Sequence, residues 1–222
     1  MRQKNGAGDI RTFAATKIGK SGRILEWQEE YEEVEKGHRH VSHLYGLHPG
    51  REISEDTPAL FEAAKRTLEY RLEHGGGHTG WSKAWIMCFY ARLKDKKKFD
   101  EQMRQFLANS VDENLWDIHP PFQIDGDFGM AEAVLEALAS RRGDVVELLR
   151  IIPEGMETGM VTGLCLEGRL KVDFAWKCGK LTKISLSSGK TQTIELRYCG
   201  IRRSVTLLEN SRLELEGVEN YE

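Results

Sequence analysis

The hydrophobic pattern changes period once along the 222 residues, near Gly143, and that change limits the fold more than any other feature. Before it, apolar residues recur every three or four positions: Leu60, Phe61, Ala64, Leu68 and Leu72, then Trp85, Ile86, Phe89 and Leu93, then Phe99, Met103, Phe106 and Leu107. This is the spacing of helix faces. After it, Leu170, Val172, Phe174 and Trp176 alternate with polar positions such as Lys171 and Asp173. That is the period of a half-buried strand. Helices first and strands second predict an α region followed by an antiparallel β region.

Capping and breaking residues sharpen the elements. Asp56 or Thr57 suits a helix N-cap, Pro58 suits the first turn, and Gly75-Gly76-Gly77 ends the run. The spacing predicts helices over 58–74, 82–93, 96–111 and 130–140, the last closed by Arg141-Arg142-Gly143. Ser42 is expected to cap a short helix over 43–47, stopped by Pro49-Gly50. The segment 23–35 reads either as a short helix or as an acidic loop. Strands are expected over 159–166, 169–176, 180–187, 192–198 and 204–209, with turns at Glu167-Gly168, Cys178-Gly179 and Ser188-Gly189. The expected division is a poorly organised segment 1–20, a helical region 21–145 and a sandwich-like β domain 146–222, with the boundary falling between Gly143 and Glu154.

Composition excludes several classes of function. A formal net charge of -3 supplies no basic field for nucleic acid. No apolar run approaches the roughly 20 residues that span a bilayer, so no membrane partner is expected. Residues 1–20 contain no apolar signal-peptide core. The four cysteines, Cys88, Cys165, Cys178 and Cys199, form no Cys-x-x-Cys pair and suggest no zinc ribbon. Cys88 falls in an apolar helical run and reads as a buried, inert thiol.

The residues able to do chemistry are concentrated. All seven histidines lie between His38 and His119, and Trp27, Trp81, Trp85 and Trp116 lie in or beside that window. The stretch 117–129 holds Asp117, His119, Pro120-Pro121, Asp125, Gly126, Asp127 and Gly129. Two adjacent prolines bar a helix at that point and make a stiff mount for a carboxylate. On spacing alone, Asp117, Asp125 and Asp127 read equally as turn or cap carboxylates, and Asp127 is the expected cap of the fourth helix. His38, His40 and His43 suggest a metal pair, but no flanking ligand set matches a known spacing. They read better as hydrogen-bonding groups of a polar cleft, and neither metal nor cofactor is expected. The run from Gly75 to Ser82 precedes a helix but lacks the lysine of a phosphate-binding loop. It reads as a helix–helix loop, or as a place where backbone and the Trp81 indole approach a sugar ring. Carboxylates, histidines and tryptophans on interhelical loops suit a carbohydrate site.

Three motifs in order, Gly37-His38-Arg39-His40-Val41-Ser42-His43-Leu44-Tyr45-Gly46-Leu47, His74-Gly75-Gly76-Gly77-His78-Thr79-Gly80-Trp81-Ser82 and His119-Pro120-Pro121-Phe122-Gln123-Ile124-Asp125-Gly126, resemble glycoside hydrolase family 95. The resemblance runs from near Lys17 to Lys177. It implies an α-L-fucosidase, chiefly acting on 1,2-linkages, built on an (α/α)6 barrel flanked by β domains and cleaving with inversion. It implies Asp125 as the catalytic base, with His38, His40, His43, Trp81 and His119 in the sugar-binding wall. A fucosylated glycan is the implied substrate, and relatives of this kind are often secreted or held at the cell surface. The family's usual asparagine after Gly126 is Asp127 here. The family's general-acid glutamate lies upstream of the matched region, so the chain is expected to be the C-terminal part of such an enzyme. It would carry the base without the acid, and a missing N-terminal half would be its partner. An α-L-galactosidase, a glycoside phosphorylase and a non-catalytic carbohydrate-binding remnant are the other expectations.

Overall fold

Pro58 opens the first long helix, α1 (Pro58–Glu73), as its preset φ allows. The computed structural model describes residues 15–216, so most of the expected segment 1–20 lies outside the described residues. Thr57 occupies the N-cap position, but its hydroxyl turns back to Ser54 and Glu52 and leaves the helix amides alone. The helix ends where Gly75 takes a φ of 87°, with the Gly76 amide donating to the Arg71 carbonyl. Three further helices follow: α2 (Gly80–Leu93), α3 (Lys96–Asn109) and α4 (Asp125–Leu138). Asp95 caps α3 by accepting the Lys98 amide at 3.0 Å.

The chain divides into two compact units, residues 1–76 and 77–222. In the first, α1 organises chain that has little regular structure. The segment 23–35 is a loop, which resolves its ambiguous periodicity. The Ile24 amide donates to Thr67 Oγ1 at 2.8 Å, and Arg71 reaches the Glu35 and Lys36 carbonyls. A tight turn at 19–22 is closed by a bridge between Ile18 and Ile24. The expected helix over 43–47 shrinks to one 3-10 turn, Ser42–Leu44, with Val41 and not Ser42 at its N-cap.

In the second unit α2 is buried nearly all round, which explains why its sequence is apolar on every face. It packs on α4, whose Gly126, Ala133 and Ala137 are buried. A Cβ at Gly129 would lie 2.9 Å from the Ala84 Cβ, so the two helices approach closely there. Arg92 of α2 grips Glu136 of α4 in a buried bidentate pair, Nη2 to Oε1 at 2.8 Å. No helix among the described residues is long and apolar enough to cross a membrane.

The helix α4 runs directly into strands. β1 (Ala139–Arg142) and β2 (Val145–Leu148) form a hairpin that begins where the spacing predicts the last residues of a helix. Then come β3 (Gly159–Leu166), β4 (Leu170–Lys177), β5 (Lys180–Ser188), β6 (Gln192–Tyr198), β7 (Ile201–Leu207) and β8 (Ser211–Glu216). They make two four-stranded sheets, β1-β2-β6-β7 and β3-β4-β5-β8. Every pairing is antiparallel except β2 with β6. Inward residues of both sheets share one core: Val146, Leu196 and Leu207 from one, Val172, Phe174, Ile184 and Leu186 from the other. Leu170, Val172, Phe174 and Trp176 face that core together, as their alternation requires. Cys88 is buried, whereas Cys165, Cys178 and Cys199 are exposed, and all four are free thiols.

Candidate functional site

In the first unit the histidine loop is held against the end of α1. A Cβ at Gly37 would fall 2.0 Å from the His74 carbonyl oxygen, so only glycine permits this crossing. The crossing places His38 and His40 side by side, their rings 4.9 Å apart. His38 Nδ1 accepts the His40 amide at 3.2 Å, and its Nε2 lies 4.0 Å from a Glu35 oxygen. Both rings reach solvent. The His40 pKa is lowered, first by burial and then by the charges of His38 and Arg39.

His43 differs. Its side chain is 4% exposed, and burial, reinforced by the Arg71 and Arg23 charges, lowers its pKa to about 4. It is therefore a neutral imidazole at pH 7. Its neighbour Glu26 is engaged elsewhere, pairing with Arg71 at 2.7 Å while its Oε2 stays 3.8 Å from His43 Nδ1. Arg71 also pairs with Glu33 at 3.1 Å. Beside this network lies an open cleft of about 530 Å³ lined by Trp27, Tyr31, Glu33, His38 and Arg71.

In the second unit Asp125 is not on a loop before the helix, as the sequence suggested. It is the first residue of α4, with an exposed carboxylate. Gly126 and Gly129 obscure this start, because glycine is a poor helix former. Asp127 is not the cap either. It lies inside the first turn, where its Oδ1 accepts the Asp117 amide at 3.1 Å. Two carboxylates in the first turn suit the positive end of the helix.

The residue beneath this arrangement is Asp117, which is 2% exposed. Its Oδ1 accepts the His119 amide at 3.1 Å. A Cβ at Gly80 would fall 2.4 Å from Oδ1, and one at Gly126 would fall 2.4 Å from Oδ2. Two helix N-termini, those of α2 and α4, thus close on one carboxylate. Gly80 precedes Trp81, and Gly126 follows Asp125. The structure therefore brings Trp81, His119 and Asp125 to a common anchor. Sequence reading passed over Asp117 as a turn carboxylate. The signal was there in glycines set directly beside Trp81 and Asp125.

His119 is half-buried, and its Nδ1 lies 3.2 Å from the Pro121 carbonyl. A proton on Nδ1 satisfies that carbonyl and leaves Nε2 to accept from a ligand hydroxyl. Trp116 and Phe122 form an exposed ring pair, centroids 4.5 Å apart, on the same loop. Exposed rings of this kind suit the apolar face of a sugar.

Comparison with known proteins agrees with these motifs. The model of the glycosyl hydrolase family 95 catalytic domain matches residues 3–138, and that of the glycoside hydrolase family 95 C-terminal domain matches residues 140–220. Alpha-L-fucosidase 2 of Arabidopsis thaliana is 36% identical over 87% of this chain and 24% of its own length. Probable alpha-fucosidase A of Aspergillus niger is 32% identical over 72% of this chain and 22% of its own. The Aspergillus oryzae protein of the same description is 28% identical over 81% of this chain and 28% of its own. The chain thus spans about a quarter of the length of these curated relatives. Among solved structures, a putative kojibiose phosphorylase from human microbiome aligns at a TM-score of 0.40 and 9% identity, covering 79% of this chain and 24% of its own, a likeness too slight to argue from. With the catalytic-domain model matching the helical part and the C-terminal-domain model matching the strands, this chain belongs to glycoside hydrolase family 95.

Proposed function

We propose that this chain contributes the general-base side of a glycoside hydrolase that removes α-L-fucose from fucosylated glycans with inversion. The observation that carries the reading is the mounting of Asp125. Its carboxylate is exposed at the first turn of α4, next to a glycine that is pinned on a buried anchor. An inverting base must hold a water against the face of the sugar opposite the leaving group. An exposed carboxylate on a fixed helix start meets that need. The 36% identity to a protein described as alpha-L-fucosidase 2 supplies the sugar class.

Within the second unit the other roles follow from chemistry. The Trp81 ring offers a stacking face, and His119 with its proton on Nδ1 offers Nε2 to accept a hydrogen bond from a sugar hydroxyl. His38, His40 and His43 are sugar-contact candidates through the motif they belong to. The buried, neutral state of His43 suits a positioning or hydroxyl-binding role and not that of a cation. The proton donor must stand roughly 6.5–9.5 Å from the base to leave room for water. We assign it to the part of the relatives' length that this chain does not span.

α-L-Fucosyl fluoride separates the two halves of the chemistry, because fluoride departs without a proton donor. The chain is expected to release fluoride and β-L-fucose from it, to leave a 2'-fucosylated glycan intact, and to lose fluoride release on Asp125→Asn. Hydrolysis of the glycan abolished by the same substitution would place an acid within these residues. Fluoride release unchanged in Asp125→Asn would end the assignment of the base.

A further inference from the structure

We propose that Asp117 is the positioning residue of this site: one buried charge that fixes Asp125, Trp81 and His119 relative to one another. The role of the three residues rests on the reading given above, whereas the bridge itself does not.

Three contacts converge on a single carboxylate. Oδ1 receives the His119 amide at 3.1 Å. Gly80 and Gly126 approach so closely that a methyl group on either would fall 2.4 Å from an oxygen. Of these, Gly80 is remote in sequence, whereas the His119 amide closes a local turn and Gly126 follows on the same loop-to-helix segment. The Asp117 backbone amide in turn donates to Asp127 Oδ1 at 3.1 Å, which ties the same residue to α4 a second time. Oδ2 is buried and accepts no hydrogen bond from a described residue. Beyond the His119 amide, the carboxylate faces the N-terminal ends of α2 and α4, where an anion is favoured. A side chain that merely filled space here would be apolar, since an oxygen buried without a partner costs free energy. A charge seen by two helix ends does what an apolar group does not. It draws both N-termini to one point and so sets the separation of the residues beside them. Asp127 supplies the acceptor oxygen for this latch.

The test exploits the charge. In the isotope-labelled chain, residues 1–222, the Asp117 carboxyl carbon is followed by NMR as the pH is lowered, with the backbone amides of Gly80, His119 and Gly126. Asp125, Asp127 and His119 are titratable groups of the same loop and helix start, and their own side-chain carbons are followed in the same spectra. The expected result is one midpoint shared by the Asp117 carboxyl and all three amides. Amides that follow Asp125, Asp127 or the His119 ring, or that do not respond when Asp117 protonates, would overturn the proposal. A space-filling role moves none of them.

Asp117→Asn is the second variant. It keeps the oxygen for His119 and removes the charge. Fluoride release from α-L-fucosyl fluoride is expected to fall about tenfold or more, the scale of a small misplacement of a reacting group. Asp95→Asn, which removes the cap charge of α3, is expected to change nothing. Equal rates for Asp117→Asn and the unaltered chain would sink the positioning role. If the unaltered chain releases no fluoride, the fucosidase reading fails, and the shared midpoint still decides the bridge.

Discussion

Arg71 in the first unit and Asp117 in the second are 4% and 2% exposed, and each holds down a loop that carries candidate sugar contacts. They are satisfied in opposite ways. Arg71 is met by other charges and by carbonyls: Glu26 at 2.7 Å, Glu33 at 3.1 Å, and the Glu35 and Lys36 oxygens. Asp117 is met by backbone alone, one amide and two glycine-bearing helix ends. The difference follows from what each must organise. The loop 23–40 has no helix or strand of its own, so its carbonyls and carboxylates need a long, many-donor side chain to gather them. The loop around Asp125 adjoins two helix N-termini, whose positive ends favour an anion. The two devices predict different sensitivities.

The largest expected effect is at Arg71. Arg71→Met keeps the aliphatic length but removes the cation from Glu26 and the donors from the Glu35 and Lys36 carbonyls, and leaves Glu33 to Arg23 alone. Loss of one partner of a buried ion network costs about 3–5 kcal/mol, to be read as a shift of the urea midpoint. A loss under about 1 kcal/mol would place Arg71 with ordinary surface pairs and dissolve the contrast with Asp117.

His43 gives the next effect, because it lies beside the same cation. Its folded-state pKa is about 4, against an ordinary value of 6.5. The unfolded chain therefore takes up the proton first as pH falls. The stability from this group is fully present above pH 6.5 and is lost as pH drops towards about 4. The shift corresponds to at most about 3 kcal/mol at 1.36 kcal/mol per unit. The stability difference between the chain and His43→Gln, measured from pH 7 to pH 4, should shrink across that window. A difference that stays constant with pH would mean that His43 is open to water.

How far these two devices were legible in the sequence also differs from how far the fold was. The period of Leu170 to Trp176 and the Cys178-Gly179 turn marked β4 and β5 closely, because inward alternation and a two-residue turn leave one register. The strand expected at 204 begins instead at Ile201, directly after Cys199-Gly200, both of which adopt positive φ. The β1–β2 hairpin was not legible. Its strands are four residues each, and the apolar spacing of α4 runs on into Ala139. The parallel pairing of β2 with β6 joins distant segments and leaves no local trace. The start of α4 at Asp125 was hidden by Gly126 and Gly129, which weaken helix propensity and serve close packing instead. Asp125, Trp81 and the histidines are singled out as candidates by motifs. Asp117 is not, since a buried anchor and an exposed turn carboxylate look the same in one dimension. The same holds for Arg71, one of many cations until its burial is known.

Gly126→Ala tests the second device directly. Alanine in a helix is favoured over glycine by up to about 1 kcal/mol, so propensity alone predicts a gain. The new Cβ would sit 2.4 Å from the buried Asp117 Oδ2, 2.8 Å from its Cγ and 3.2 Å from its Cβ, so the whole short side chain would have to shift. Overpacking of this kind costs about 1–3 kcal/mol, and a net loss is expected in the same urea experiment. Combining it with Asp117→Ala should recover part of that loss, because the methyl group then fills the space that the carboxylate vacates. Additive losses would show that Gly126 and Asp117 do not share that space.

The smallest effect is expected where the geometry of an ion pair is present without the burial. Arg104 of α3 contacts Glu154, and both side chains are more than half exposed, at 63% and 64%. By contact alone the pair resembles that of Arg71 with Glu26. Water and salt screen it, and ordering two long side chains offsets what attraction is left. Arg104→Met is therefore expected to change stability by no more than about 1 kcal/mol, and by less as salt is raised. A loss as large as that of Arg71→Met would mean that contact, and not burial, sets the strength of charge pairs here. The distinction drawn between a cation that gathers a loop and a pair that decorates a surface would then fail.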